Sequence, residues 1–225
     1  MKLVPFSAVL SLLVAALVAA CTKDSYDQGT GELSLVQADF VELPTNSEGM
    51  ATAAVTDNGH TYQLTTPLHQ GNASWIAKAD TFYRAALYYN KVNENTAQPV
   101  SVSRIPTVRP TPLDADEPMM AHPITLESVW KSKGGKYLNI GFYLKTSDTS
   151  ASGLKQTISI IHEGTVNHPN GTTTALLRFY HDQADIPQYY SNKYYLSVLC
   201  DQLVCDSICI VVNTYNGEMT RTLKR

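Results

Sequence analysis

Apolar residues recur at every second position over much of the chain, and this alternation predicts β-strands. Between residues 138 and 144, for example, Leu, Ile, Phe and Leu alternate with Asn139, Gly141 and Tyr143. A period of two is the repeat of a strand with one buried face. Charged residues make up only 16% of the chain, well below the usual ~25%, and β-branched and tyrosine residues are abundant. Pattern and composition together predict an all-β fold.

The first group of alternating segments predicts a small barrel. Strands are expected at 33–42, 51–57, 60–65, 81–92 and 100–105. Asn58-Gly59 lies between two of them and predicts a hairpin closed by a type I′ turn. The run 81–92 (TFYRAALYYNKV) has a helix-compatible centre, but its aromatic residues favour a strand. Five strands in about 75 residues suit a closed barrel such as an OB-fold, so we expect an OB-like domain over 32–105.

The second group predicts an antiparallel β-sandwich over 124–225. Strands are expected at 125–131, 137–145, 157–163, 173–181, 193–199, 207–215 and 218–223. Asn216-Gly217 gives a second type I′ signal. Short strands separated by frequent turns are typical of a sandwich. The intervening segment 106–123 contains prolines at 106, 110, 112, 118 and 123, and because proline removes backbone donors we interpret it as a linker.

The amino terminus has the features of a bacterial lipoprotein export signal. Lys2 precedes the apolar stretch 3–20, which ends in Val-Ala-Ala directly before Cys21. A cysteine thiolate at this place is the nucleophile that accepts a diacylglyceryl group. We therefore expect 1–20 to be removed, Cys21 to be lipidated, and 21–31 to be a flexible tether. The protein would then be held in the cell envelope by a lipid in the outer membrane. A plain secretory signal or an uncleaved anchor is the alternative, although the stretch is short for a spanning helix of about 20 residues.

Three further cysteines, Cys200, Cys205 and Cys209, lie close together near the end of the chain. In an oxidising compartment two of them can pair. We predict a Cys200–Cys209 disulfide if these residues are cross-strand neighbours in a hairpin, with Cys205 near the turn. The alternative is that they are free thiols in the core. The spacing lacks the paired C-x₂-C ligands of a zinc site, so no metal is predicted.

Motifs for catalysis or cofactor binding are missing from the sequence. His162-Glu163 and His168 give H-E-x₄-H, whereas zinc proteases need H-E-x-x-H so that both histidines share one helix face. We therefore predict no catalytic residues, no metal and no cofactor. A net charge of −3 offers no electrostatic reason to bind nucleic acid. The alternative is an envelope hydrolase whose His, Asp and Glu residues meet only in the folded chain.

Aromatic residues beside polar ones are the candidates for ligand binding. Four tyrosines flank the polar segment 191–193, and a tryptophan follows the polar loop 70–74. Aromatic faces flanked by amides and hydroxyls hold sugars or peptide segments. The alternative is that these residues are divided between the core and an ordinary β surface. The candidate ligand-binding residues are Trp75, Tyr189, Tyr190, Tyr194 and Tyr195.

The order of these features resembles the NigD-like family of Bacteroidetes lipoproteins. The resemblance is carried mainly by the segments 123–130 (PITLESVW), 137–140 (YLNI), 176–181 (LLRFYH), 195–198 (YLSV) and 206–217 (DSICIVVNTYNG), and by Tyr189. It implies an N-terminal OB-like domain followed by a C-terminal β-sandwich. The family name further implies an association with bacteriocins, without an established biochemical role. We therefore expect a non-enzymatic, lipid-anchored envelope protein that binds a protein, peptide or glycan.

Overall fold

A computed structural model describes residues 35–112, 118–148 and 153–225, and every regular element in these ranges is a β-strand. No helix among the described residues is long and apolar enough to cross a membrane. The all-β prediction is confirmed. The predicted signal peptide, Cys21 and the tether 21–31 lie outside the described residues. The strands are β1 (Gln37–Pro44), β2 (Ala51–Thr56), β3 (Thr61–Leu68), β4 (Phe82–Asn93), β5 (Thr96–Arg104), β6 (Thr107–Val108), β7 (Thr111–Pro112), β8 (Thr125–Lys131), β9 (Tyr137–Thr146), β10 (Thr157–Asn167), β11 (Thr173–Asp182), β12 (Tyr190–Leu199), β13 (Ser207–Thr214) and β14 (Gly217–Lys224).

The first five strands close into a barrel with the order β1-β2-β3-β5-β4, in which β1 pairs with β4 to complete the circle. Alternate side chains of these two strands point inward, as the period of two requires. Val41, Leu43, Ala85 and Leu87 are fully buried in this core. A closed five-stranded barrel of this kind is OB-like, in agreement with the sequence.

The run 81–92, whose centre is compatible with a helix, forms a single long strand, β4. It pairs antiparallel with both β1 and β5. A strand of this length must bend to follow the wall of a small barrel, and a β-bulge supplies such a bend. The register of β4 against β5 shifts between Tyr88 and Tyr89 and again between Lys91 and Asn93. The aromatic residues of this run therefore indicated the element type correctly.

Both Asn-Gly hairpins form, but the predicted type I′ turns are wrong. Type I′ needs positive φ at both central residues, and here only the glycines have it, at +80° for Gly59 and +101° for Gly217. In the first hairpin the Gly59 N–H donates to the Thr56 carbonyl at 2.8 Å, and the Thr56 N–H donates to the His60 carbonyl at 2.8 Å. This is the arrangement of a type I turn followed by a bulged glycine.

The remaining strands form two sheets that enclose a second core. One sheet has the order β14-β13-β11-β10-β7 and the other β6-β12-β9-β8. Ile140, Phe142, Leu177 and Ile210 are buried between them. The rings of Phe142 and Phe179 meet edge-to-face with centroids 5.1 Å apart. The predicted β-sandwich is confirmed.

Two short strands lie in the segment that the sequence assigned to a linker. Thr107–Val108 (β6) runs parallel to β12 in one sheet, and Thr111–Pro112 (β7) runs parallel to β10 in the other. Proline is tolerated in β7 because that strand lies at a sheet edge. The described part of the connection therefore touches both sheets. Val36–Arg225 as a whole forms one compact unit.

Candidate functional site: the cleft between barrel and sandwich

The outer face of the four-stranded sheet packs against the barrel. Trp130, Asn139 and Ser197 form one cross-strand row on this face. Asn139 and Ser197 are polar, yet both are fully buried. The outer face of an antiparallel sheet is commonly solvated, so burial of these two side chains requires a cover. The outer face of the β1–β4 pair supplies it.

Arg84 of β4 lies at the centre of this contact, and its side chain is only 3% exposed. Its Nη2 donates to Asp57 Oδ2 at 2.7 Å and to Asn139 Oδ1 at 3.1 Å, and its Nε donates to Ser197 Oγ at 3.0 Å. Asn139 Nδ2 also donates to Asp57 Oδ2, at 2.7 Å. A buried guanidinium is tolerated only with a counter-charge and good acceptors. Asp57 supplies the charge, and the sandwich supplies further acceptors.

Tyr137 and Glu42 extend the contact on one side of Arg84. The guanidinium carbon of Arg84 lies 4.2 Å from the Tyr137 ring centroid, a cation–π contact. The Tyr137 hydroxyl donates to Glu42, which also forms an ion pair with Lys136. Burial, together with the hydrogen bond to Glu42, raises the pKa of Tyr137. The hydroxyl therefore stays protonated and remains a donor.

A cavity of about 460 Å³ opens beside this network. We call it the arginine cavity. The barrel contributes Asp57 and Arg84 to its wall, and the β8–β9 turn contributes Lys133, Lys136 and Tyr137. Arg84 Nη1 is buried and has no hydrogen-bond acceptor among the residues that the structure describes.

A second cavity, of about 390 Å³, lies between the same two parts of the fold and shares Asp57 and Asn58 with the first. We call it the aromatic cavity. The Phe40 ring centroid is 5.2 Å from that of Trp130 and 5.3 Å from that of Tyr195, and both contacts are edge-to-face. All three rings are partly exposed.

Gly141 allows Tyr195 to approach the sheet. Gly141 lies beside Tyr195 on β12 and Ser128 on β8. A Cβ at position 141 would lie 2.7 Å from Ser128 Oγ and 3.1 Å from Tyr195 Cε1. Glycine is unfavourable inside a strand unless another group approaches closely. Here the aromatic ring and a hydroxyl are those groups.

The structure divides the predicted tyrosines between different surroundings. Tyr195 lines the aromatic cavity. Tyr194 points to the other face of β12 because successive side chains alternate, and it stacks on Phe142 with ring centroids 6.0 Å apart. Tyr189 and Tyr190 are 81% and 49% exposed. Only Tyr195 of these four lies in either cavity described above.

Trp75 lies on the barrel, away from the predicted tyrosines. Its ring packs edge-to-face on Tyr83 with centroids 5.7 Å apart, and it covers the barrel core. The Tyr83 hydroxyl in turn accepts hydrogen bonds from the N–H groups of Ala77 and Lys78. The structure thus gives Trp75 a packing contact within its own loop and barrel wall.

Sequence reasoning missed the residues at the centre of the cleft. Only Arg84 could have been recognised from the sequence, because a charged residue inside an apolar strand requires a buried partner. Asp57 gave no signal because it reads as an ordinary turn residue. Asn139 and Ser197 alternate with apolar residues along their strands, which is the pattern of solvent-facing positions and gives no sign of burial.

The three cysteines are free thiols in the structure. The hairpin placement that motivated the Cys200–Cys209 disulfide is wrong, because Cys200 follows β12 of one sheet whereas Cys209 lies in β13 of the other. Cys200 is buried in the sandwich core. Cys209 alternates with the buried Ile208 and Ile210 and so lies on the opposite face of its strand. Among the described residues, no group of three or more His, Cys, Asp or Glu side chains is placed to hold a metal ion.

Comparison with known proteins relates the chain to others by fold. No family model and no curated protein matches it. A NigD-like immunity protein from Bacteroides caccae is 20% identical, with a TM-score of 0.59 over 83% of this chain and 91% of that one. A protein of unknown function from Bacteroides vulgatus is 16% identical, with a TM-score of 0.66 over 84% and 90%. A candidate lipoprotein from Bacteroides fragilis is 12% identical, with a TM-score of 0.55 over 84% and 96%. The chain has the fold of these proteins, and the resemblance to the NigD-like family in architecture is confirmed.

Proposed function

We propose that this protein is a non-enzymatic, lipid-anchored envelope protein that binds a peptide segment in the aromatic cavity. The observation that carries the proposal is the cluster of Phe40, Trp130 and Tyr195. These partly exposed rings come from both the barrel and the sandwich and line one cavity. Aromatic side chains in such clefts are the usual anchors of protein and peptide interfaces.

The geometry of the rings favours a peptide side chain over a sugar as the occupant. A sugar ring needs a free, flat aromatic face. Here the three rings pack edge-to-face on one another, with the Trp130 and Tyr195 centroids 6.3 Å apart, so their faces are partly covered. The remaining space suits one apolar or aromatic side chain. Asp39 and Asn58 in the wall offer acceptors and donors for peptide N–H and C=O groups.

An immunity role at the cell envelope is consistent with this activity. One protein with the same fold is a NigD-like immunity protein, and the sequence resemblance implies a link to bacteriocins. A bacteriocin-type peptide held at the membrane surface is therefore the ligand that we propose. The fold of a candidate lipoprotein and the sequence before Cys21 support the anchored location.

Binding is tested by following the indole N–H signals of the two tryptophans by NMR, using the isotope-labelled lipoprotein in detergent micelles. Trp130 lines the aromatic cavity, and Trp75 on the barrel is an internal control. We expect N-acetyl-tryptophanamide to shift the Trp130 signal and leave the Trp75 signal in place. Methyl β-glucopyranoside should shift neither. The variant Tyr195→Ala should weaken the shift, whereas Tyr189→Ala, which alters a residue 81% exposed and outside the cavity, should not.

Three results would overturn the peptide proposal. They are equal shifts at both indoles, no shift at Trp130, and a shift at Trp130 with the glucoside alone. The last result would assign the cavity to a glycan instead.

The anchor is tested separately with Cys21→Ser. Wild-type protein should partition into the detergent phase and carry acyl chains on residue 21, as measured by mass spectrometry of the amino-terminal peptide. The variant should lose the acyl chains and either leave the detergent phase or keep residues 1–20. Acylation at another residue, or none in the wild type, would contradict the proposal.

A further inference from the structure

We infer that the arginine cavity is a second binding site, and that it takes the carboxylate of a peptide carboxyl terminus. This cavity differs from the aromatic cavity, although the two share Asp57 and Asn58, and the inference does not depend on the function proposed above. The first observation is the state of Arg84. Its Nε and Nη2 donate to three protein side chains, but its buried Nη1 has no acceptor in the described part of the chain. Buried donors are nearly always hydrogen-bonded, and Arg84 is one of the residues that line the cavity, so a ligand there that reaches Nη1 would supply the missing acceptor.

The second observation is the balance of charge in the wall. Three cations, Arg84, Lys133 and Lys136, face two anions, Glu42 and Asp57. Asp57 is paired with Arg84, and Glu42 is paired with Lys136. Lys133 has no ion-pair partner within the described ranges. The cavity therefore carries one excess positive charge, although the whole chain has a net charge of −3.

This arrangement selects a single negative charge. A carboxylate has two oxygens, so it can accept one hydrogen bond from Arg84 Nη1 and form an ion pair with the Lys133 ammonium group. A phosphate dianion would bring a second negative charge next to Glu42 and Asp57. Like charges at short range in a partly buried site repel strongly, and a monoanion, with half the charge, is repelled less while it still neutralises the one excess positive charge.

The space around these donors indicates what is attached to the carboxylate. The cavity, at about 460 Å³, is much larger than a carboxylate group. Gly59 and Gly134 form part of its wall, and a Cβ added at either would meet nothing within 4 Å. Open glycine backbone leaves room for another main chain to approach closely. The terminal residue of a peptide fits that surface.

The inference is tested by NMR with the labelled lipoprotein in micelles and two matched probes. N-acetyl-glycyl-glycine has a free terminal carboxylate, and its amide lacks it. We expect N-acetyl-glycyl-glycine to shift the backbone N–H signals of Gly59 and Gly134. The carboxamide probe, which lacks the negative charge, should leave these signals in place. Lys133→Ala should weaken the affinity for the acid by up to about fivefold, the range of an exposed ion pair. Lys91→Ala is the control, because Lys91 is an exposed lysine that lines neither cavity.

A second variant tests the arginine. Arg84→Lys keeps the charge but removes Nη1, and in protein that retains its near-UV circular dichroism it should abolish binding of the acid. Lys133→Ala keeps the inference testable if Arg84→Lys does not fold, because Lys133 is exposed.

Four outcomes would overturn the inference. These are equal shifts with the acid and its amide, no shift with the acid, tighter binding of inorganic phosphate, and binding of acetate as strong as that of the peptide acid. The Trp130 indole signal reports on ligand binding in the aromatic cavity in the same spectra. A lack of binding at one cavity is therefore seen independently of binding at the other.

Discussion

Arg84 and Ser197 are 113 positions apart in the chain, yet Arg84 Nε donates a hydrogen bond of 3.0 Å to Ser197 Oγ. The first residue belongs to the barrel and the second to the sandwich. Ser197 Oγ in turn donates to Asn139 Oδ1 at 2.7 Å. The two cores are thus joined through a buried polar network in addition to apolar contacts. Such a network is stabilising only while every member keeps its partner.

Replacing Arg84 by methionine should therefore destabilise the protein strongly. Asp57, with a side chain 15% exposed, would lose its counter-charge. Breaking a buried pair in this way costs about 3–5 kcal/mol, which urea unfolding can measure. The double variant Arg84→Met, Asp57→Asn should recover part of the loss because the uncompensated charge is removed as well.

Lys193→Ala is the matched control for that experiment, since it removes the exposed ion pair with Glu127 and should leave the unfolding midpoint unchanged. A loss for Arg84→Met no larger than that of the control would show that the network does not hold the two parts together.

Gly141→Ala should destabilise the outer face of the four-stranded sheet. The new methyl group would lie 2.7 Å from Ser128 Oγ and 3.1 Å from Tyr195 Cε1, so the Ser128 side chain must move and the Tyr195 ring must shift by a few tenths of an ångström. Overpacking of this kind costs typically about 1–3 kcal/mol, measurable as a lower thermal midpoint. Adding Ser128→Ala should restore part of the stability. Gly134→Ala, at a position with open space, is the control, and an equal effect of both alanines would refute the steric explanation.

Cys200 should be the least reactive thiol of the native protein. Burial raises its pKa to about 11, and its Sγ donates to the Val198 carbonyl at 3.4 Å. The thiolate is the reactive form, so iodoacetamide at pH 8 should modify Cys205 and Cys209 first. Cys200 should react only after unfolding in urea. Peptide mass spectrometry reads all three sites, and a disulfide-linked peptide or early modification of Cys200 would contradict the structure.

His181 should make the stability depend on pH. It is 1% exposed, with Nδ1 3.0 Å from the His122 carbonyl and Nε2 2.7 Å from Gln156 Oε1. Burial lowers its pKa, and the His122 contact offsets this only in part. The folded protein therefore holds this proton less tightly than the unfolded chain, whose histidines have pKa values near 6.5.

Well above pH 6.5, His181 therefore does not affect the free energy of unfolding. Below this value the free energy of unfolding falls as the pH drops, by at most about 1.4 kcal/mol per pH unit. Urea unfolding between pH 8 and pH 5 should show this slope, and His181→Asn should flatten it. His69→Asn, at an exposed histidine, should keep the slope. The prediction fails if the slope survives in the His181 variant.

The strands could be predicted from the sequence because each is a local pattern. Thr125–Lys131 (β8) has the predicted bounds, and Tyr137–Thr146 (β9) extends one residue further than predicted. Alternation fixes which side chains share a face, and the Gly134-Gly135 turn marks where the chain reverses. The same local reasoning places Tyr194 and Tyr195 on opposite faces of β12, but it cannot tell which of these faces the barrel covers.

The candidate site could not be predicted because its members meet only where the barrel packs against the sandwich. Asn139 and Ser197 occupy positions that alternate with buried residues, which is the pattern of solvent-facing side chains. They are buried by the barrel, and nothing in either strand records that contact. Phe40 likewise reads as one more aromatic residue of a strand, although its ring meets Trp130 across the cleft.

The short strands Thr107–Val108 and Thr111–Pro112 have a consequence for behaviour at high protein concentration. An uncovered sheet edge presents unpaired backbone groups that can recruit strands from neighbouring molecules. Here the connection out of the barrel occupies the open side of β12 and then the open side of β10. The chain thereby protects one edge of each sheet from intermolecular strand pairing, so weakening these two short pairings would promote aggregation before it reduced the stability of either core.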